Sequence, residues 1–546
     1  MTGAKTFKAA LACATVAIVA GLGPTPGGAQ EAAPDLVIRG GTVYPGNAAP
    51  FRGDVAIRGD RIVYVGPKAP TGAKKVIDAS GLIVSPGFID THTHIDEALA
   101  SGLPAARLVL PFLTQGVTTA FIGVDGNGDP DIAATFGTSK KAVGEGVSAL
   151  GQTSRDFGVN FASYVGLGRV RDAVIGAADR APSAAELTKM KGLVSDAMCA
   201  GALGLSAGLF YAPQSFAKRD EVIALAGVAG DKGGIYDSHI RDESSYTIGL
   251  KGAIDEALTV GREAHLPVHI AHIKALGADV QGQAPAIIAM IEAAQKAGQV
   301  VHADQYPWSA SGTGLSAALL PRWAQDGGRA ALMKRFGDPQ TMAKMRPEIV
   351  ENLRRRGGPS SLLLTSGPAW AEGKTLEAIA KARGVDPVDA ALTVLKEREA
   401  GVASFNQSED DIAAFMKRPW VVTSSDSSQG HPRYYASFAR KYALYVKQKQ
   451  VIDLKTFIAQ STATTAKMFD LAGRGELKAG AFADVIAFDP KTFAPRADYT
   501  HPALFSTGMR TVVVNGQVAI ENGEPTGAAG GRPLPRTPRP GTCPAR

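Results

Sequence analysis

Eight short apolar runs alternate with helix-like stretches through the middle of this chain, and that alternation constrains its fold more than any other feature. The runs fall at residues 81–94, 117–123, 160–166, 202–206, 234–239, 267–272, 299–306 and 421–426. Strand-like segments separated by helical ones are the pattern of a parallel β/α architecture. Eight of them predict closure into a (β/α)8, TIM-like barrel spanning residues 84–470. The gap before the eighth run is long and carries helix-like patterns at 341–355 and 387–399, so an inserted helical subdomain is expected at about 320–413. Shorter β-rich runs punctuated by Gly40-Gly41, Gly59-Asp60 and Gly66-Pro67 occupy 35–83, and a second set lies within 471–525. The two chain ends are expected to complete one small β-sandwich domain together.

The termini account for most of the charge. Of the formal net charge of +7, two positive charges are Lys5 and Lys8 and four are Arg532, Arg536, Arg539 and Arg546, so the body is nearly neutral. No basic stripe with interleaved aromatics runs through that body, and no nucleic-acid partner is expected. Residues 1–30 read as an export signal: two lysines, an apolar run over 9–22, then small residues to Gln30. The protein is therefore expected in the periplasm or secreted, with no stable membrane insertion. Its removal leaves Cys199 in a helical stretch and Cys543 in the tail, and no disulfide framework is expected. The Gly/Pro/Arg-rich residues 526–546 read as a disordered basic tail.

The chemistry concentrates where the runs end. Asp90-Thr91-His92-Thr93-His94 closes the first, and side chains two apart in a strand share a face, so His92 and His94 can reach one metal ion. Asp125 follows the second run, His239 ends the fifth, His272 the sixth and Asp426 the eighth. In a β/α barrel the carboxyl ends of the strands share one face, so all six can converge. Taken singly, each has a plainer reading: a structural histidine, or an aspartate capping the next helix. His269 is out of phase with His272 and reads as packing; His265, His302 and His431 read as structural, with pocket-bordering the alternative for His302, which precedes Tyr306 on strand seven.

These residues carry a family resemblance. Phe88-Ile89-Asp90-Thr91-His92-Thr93-His94, the split β-domain and the terminal aspartate resemble the amidohydrolase superfamily. Ser238-His239-Ile240-Arg241-Asp242-Glu243, the stretch from Ala271 to Gly277, the stretch from Tyr306 to Ser311, and His431-Pro432-Arg433-Tyr434-Tyr435 are similar to the N-acyl-D-amino-acid deacylases, or D-aminoacylases. The resemblance implies a metal-dependent hydrolase that cleaves N-acyl-D-amino acids to a carboxylate and a free D-amino acid. One or two Zn2+ ions are implied, with other divalent metals as alternatives. Asp125, His239 and His272 would hold the principal ion, and His92, His94 and Asp426 would face a second position. Asp426 would be the catalytic proton carrier. Lys274 and Tyr306, with Ser311 or Thr313 nearby, would grip the substrate α-carboxylate, and Arg433 and Arg440 are further candidates. The deacylase branch has Gly-Asn-Cys-Gly after strand two, whereas this chain places Asp125 where that cysteine would be. A carboxylate is a harder ligand than a thiolate and broadens the choice of metal.

Related enzymes that open cyclic amides, the hydantoinase-like members, use a carboxylated lysine after strand four. Here that place reads Gly204-Leu205-Ser206-Ala207-Gly208, which makes cyclic-amide hydrolysis the second reading. A deaminase stands third, because no glutamate lies three residues after His239. An exported metal- or ligand-binding barrel without catalysis is the remaining alternative.

Overall fold

The computed structural model describes residues 33–137 and 156–544; the proposed export signal at 1–30 lies outside them. Eight parallel strands form the barrel: β1 (Phe88–Asp90), β2 (Val117–Ile122), β3 (Asn160–Ser163), β4 (Gly204–Gly208), β5 (Ile235–His239), β6 (Val268–Ile270), β7 (Val301–Gln305) and β8 (Val421–Thr423). The order is sequential: β1 to β3 pair in turn, Val165–Gly166 continues β3 and pairs with β4, and β4 to β8 follow. Asp426 N donates to His92 O at 2.9 Å and Thr93 bridges Ser427, which closes β8 onto β1. Nearly every strand residue is buried, as expected where helices cover the outside of a parallel sheet and side chains fill the inside. The helices carry their own signals. Ala184–Ala200 begins with a capping box of Ser183 and Glu186 and stops at Gly201 in the left-handed conformation.

The two chain ends do build one β-domain. Val485–Phe488 pairs antiparallel with Ile83–Pro86, and nine strands form a single sheet that curls until Arg61 bridges Phe482. Because Ile83–Pro86 runs directly into β1, this sheet fixes the start of the barrel.

The insertion between β7 and β8 begins earlier and ends sooner than 320–413. Its three-stranded antiparallel sheet (Ala310–Gly314, Gly401–Phe405, Leu362–Leu364) and its own apolar core, from Leu315 to Val402, set its limits. The next helix, Glu409–Met416, buries Ile412 and Phe415 in the main barrel core. Composition does not mark that boundary, because both neighbouring helices are amphipathic.

The tail corrects two expectations. It is not disordered: Leu534 N bonds Phe161 O, Arg536 N bonds Gly201 O and Arg539 N bonds Lys232 O along the outside of the barrel. Cys543 forms a disulfide with Cys199 across 344 residues of sequence. Proline presets an extended backbone, so fixing this segment costs little entropy, and the covalent link and the exposed carbonyls hold it. The arginines that looked like a basic tail are partly neutralised; Arg532 pairs with Asp60 at 2.8 Å.

Candidate metal centre and substrate cavity

All six expected ligand-type residues meet at the carboxyl ends of the strands. Asp125 lies at the centre. Its Oδ1 is 3.4 Å from His92 Nε2, 3.4 Å from His239 Nδ1 and 3.6 Å from His272 Nε2, while its Oδ2 is 3.5 Å from His94 Nε2. Asp426 Oδ1 lies 3.3 Å from His94 Nε2 and 3.8 Å from His92 Nε2. Asp125 thus presents Oδ1 to three histidines, His92, His239 and His272, and Oδ2 to the fourth, His94.

Local backbone explains how each side chain arrives. Gly126 follows Asp125 at φ +73°, and a Cβ there would strike Gln214. That glutamine holds the turn, donating to Asp125 O at 2.8 Å and accepting from Gly208 N at 2.7 Å. Asp304 on β7 accepts from His272 N at 3.0 Å and from the Ser424 hydroxyl, and its other oxygen meets His269 Nε2 at 2.7 Å. Asp90 accepts from Ser425 N at 3.0 Å, tying β1 to the loop of Asp426. The sequence reading named none of Gln214, Asp304 and Asp90 as site residues. Asp304 sits two residues before Tyr306 on a strand, which was the available signal.

The electrostatics identify what the cluster lacks. Burial opposes ionisation of Asp125, yet His92 and His239 outweigh it and hold its carboxyl well below the usual range. Burial is likewise overcome at Asp426, chiefly by Arg433, whose Nη1 lies 2.6 Å from Oδ2. Burial disfavours protonated His94, but the carboxylates of Asp125 and Asp426 push it up to about 10. For His272, burial and Lys274 are outweighed by Asp426, Asp125 and Glu243, with the same result of about 10. Both ring nitrogens of His92 and of His239, and Asp125 Oδ1, are buried without a hydrogen-bond partner. Ligand atoms of His92, Asp125, His272 and Asp426 lie within 4.8 Å of one another. Two buried, ionised carboxylates that draw positive charge onto neighbouring imidazoles, beside ring nitrogens with no hydrogen-bond partner, form a donor set that a divalent cation fits.

The substrate-binding expectations divide. Lys274, Ser311, Thr313 and Arg433 line a cavity of about 530 Å³ above the cluster. Lys274 is already engaged, with Nζ 2.5 Å from Glu243 and 2.7 Å from His272 Nδ1. Tyr306 is buried behind Arg433, with its hydroxyl accepting from Gln407 at 2.9 Å, and it does not line the cavity. Arg440 packs on Trp308 and donates to Pro307 O, away from it. His431 accepts from Arg433 N at 3.1 Å and so has a positioning role. Glu243, from the Arg241-Asp242-Glu243 loop, was missed as a site residue. It lies four residues beyond His239 yet reaches both that ring and His272, at 3.9 and 3.2 Å.

Residues 75–520 match the model of the family described as amidohydrolase family. This chain belongs to the amidohydrolase family. The amidohydrolase is 33% identical over 523 residues to the D-aminoacylase of Alcaligenes xylosoxydans xylosoxydans, covering 92% of this chain and 98% of that protein. A solved D-aminoacylase, described for its binuclear metal centre with one-metal activation and second-metal attenuation, superposes with a TM-score of 0.74 at 30% identity, covering 92% of this chain and 100% of that one. The N-acyl-D-glutamate deacylase from Bordetella bronchiseptica, complexed with zinc and a phosphonate mimic of the tetrahedral intermediate, gives 0.75 at 29% identity with the same coverage. The resemblance read from the four motifs therefore extends over nearly the whole amidohydrolase chain, and its branch is that of the N-acyl-D-amino-acid deacylases.

Proposed function

We propose that this amidohydrolase cleaves the amide bond of N-acyl-D-amino acids, releasing a carboxylate and a free D-amino acid. The carrying observation is the pairing of a complete zinc-type donor set with a buried, ionised Asp426 on the floor of the cavity. His239, His272 and Asp125 would hold the principal zinc ion, with His92, His94 and Asp426 at the second position. When bound, the ion polarises the acyl carbonyl and acidifies the attacking water. Asp426 accepts the proton of that water at Oδ1 and delivers it to the departing amine. Arg433 keeps Asp426 ionised and oriented, and Glu243 with Lys274 fixes the ring of His272 from its far side. Ser311, Thr313 and Arg433 are the donors offered to the α-carboxylate, and Lys274, whose Nζ is spent on Glu243 and His272, adds its charge.

Stereo-resolved release of amino acid from N-acetyl-D and N-acetyl-L substrates by zinc-loaded protein tests this reading. Hydrolysis of the D series alone is expected, and hydrolysis of neither refutes it. Cyclic-amide hydrolysis gains no support: β4 carries no lysine, and Ser206 there bonds Gly123 O and Gly126 N.

We infer export to an oxidising compartment, the periplasm or beyond. The apolar run near the amino end and the Cys199–Cys543 disulfide support it. Among the described residues no helix is long and apolar enough to cross a membrane.

A further inference from the structure

Three lysine and arginine side chains line the cavity: Lys274, Arg356 and Arg433. Lys274 faces Glu243 and Arg433 faces Asp426, so both are neutralised by site carboxylates. Arg356 is different. It is 2% exposed, and among the described residues it forms no ion pair. Its Nε donates to the Tyr246 hydroxyl at 2.6 Å and its Nη1 to the Ser311 hydroxyl at 3.5 Å; among the described residues Nη2 makes no hydrogen bond.

The local sequence sharpens the contrast. Arg354, Arg355 and Arg356 are consecutive at the end of the helix Pro339–Arg355 in the inserted subdomain. Arg354 pairs with Asp279 and Glu351, and Arg355 lies 3.4 Å from Glu351. Only the third turns inward and finds no acid among the described residues. A second, half-buried guanidinium stands on the same Phe210 ring as Arg356: Arg322 stacks 3.9 Å from its centroid and donates from Nη1 to Ala317 O at 2.9 Å, while its Nη2 is buried and unpartnered among the described residues. Asp242 on the neighbouring loop is occupied by Ser244 N, Thr247 N and Gly249 N. A tie between the insertion and the barrel needs no charge, and burying an ionised guanidinium against neutral hydroxyls alone is costly. A cavity-lining cation of this kind fits an anion that arrives with the substrate.

We propose that Arg356, backed by Arg322, receives a second anionic group of the substrate, distinct from the α-carboxylate. This rests on the deacylase reading and narrows its substrates to acyl amino acids that carry an additional acid. That acid belongs either to the amino-acid side chain or to the acyl group, and both sources present the same carboxylate chemistry to the cavity.

The experiment compares kcat/KM for N-acetyl-D-glutamate and N-succinyl-D-methionine, each divided by that for N-acetyl-D-methionine. At least one ratio is expected to exceed about 10, and the acid that raises it names the source. In Arg356→Met that ratio is expected to fall by ~10- to 100-fold, the range for a lost charge-assisted hydrogen bond. Arg356→Lys, which keeps the charge, should retain part of it. Because each ratio is internal to one preparation, it is independent of how much of a variant folds. Wild-type ratios near or below one overturn the proposal, as does a ratio unchanged in Arg356→Met, which would make Arg356 a holder of the α-carboxylate or of the insertion. Hydrolysis of N-acetyl-D-methionine with neither acid favoured leaves the deacylase reading standing and this one refuted. No release from any of the three refutes both.

Discussion

Replacing Asp426 by asparagine separates proton transfer from everything else the site does. Asn preserves the shape and the oxygen that faces Arg433 Nη1, at 2.6 Å in the wild type, but it cannot take the proton of the attacking water. General acid–base catalysis contributes about 10²- to 10⁴-fold, so kcat is expected to fall within that range. Removing one partner of a buried ion pair costs about 3–5 kcal/mol, and the retained amide oxygen should keep the loss near the lower end of it. A few degrees of Tm follow from a loss of that size in a large chain. The assay is kcat and KM with an N-acetyl-D-amino acid, normalised to bound metal and to folded protein from a thermal melt. Loss of a proton carrier appears in kcat with little change in KM. A folded, metal-loaded Asp426→Asn enzyme with kcat within threefold of wild type refutes the role.

Asp125→Cys should tighten zinc binding and narrow metal choice, because thiolate is the softer ligand; competition titration with a chromogenic chelator reads this, and unchanged zinc affinity counts against Asp125 as a ligand. Lys441 is 1% exposed, its Nζ bonded among the described residues to the oxygens of Thr423 and Gln460, and burial pushes it down to about 7. The unfolded chain keeps that proton up to a pKa of about 10.4, so this residue's burial costs stability below pH 7, and that cost is relieved as pH rises from 7 towards 10. Lys441→Met should therefore be more stable than wild type at pH 6, with the advantage shrinking by pH 9; a pH-independent Tm difference would refute this. Cys199→Ser should free residues 530–544 to proteolysis and cost about 2–5 kcal/mol of stability at most for a long closed loop, read as a lower Tm, with kcat on N-acetyl substrates unchanged, since the tail lies outside the barrel.

Much of this was legible in the sequence because it depends on periodicity. Eight alternating runs specify the barrel, and the rule that strand ends share a face brings His92, His94, Asp125, His239, His272 and Asp426 together. What was illegible depends on tertiary direction. Asp304 and Gln214 act through hydrogen bonds to residues distant in sequence, and nothing in their neighbourhoods says which way they point. Tyr306 was assigned to the substrate by its motif, yet the ring is covered by Arg433 and the hydroxyl is spent on Gln407. The tail misled because Pro, Gly and Arg together signal disorder only where no partner exists. Here Phe157 to Phe161 offer carbonyls along one edge, Asp60 offers a carboxylate, and Cys199 offers a covalent link.

Asp125, His272 and Asp426 have φ of 54°, 33° and 48°, a region that non-glycine residues seldom occupy and that costs about 1–3 kcal/mol apiece. Each lies immediately beyond a barrel strand, where the left-handed turn directs a side chain inward that an extended continuation would carry past the barrel mouth. Each is also pinned through its own main chain: Asp125 O by Gln214, His272 N by Asp304 and Asp426 N by His92 O. These restraints involve no ligand atom of the three residues. The fold thus helps to converge the donors through main-chain bonds of its own, and the strain is offset by the hydrogen bonds of Gln214, Asp304 and the His92 carbonyl. Loss of Gln214 or Asp304 accordingly releases a turn, and weakens metal binding without removing a single ligand.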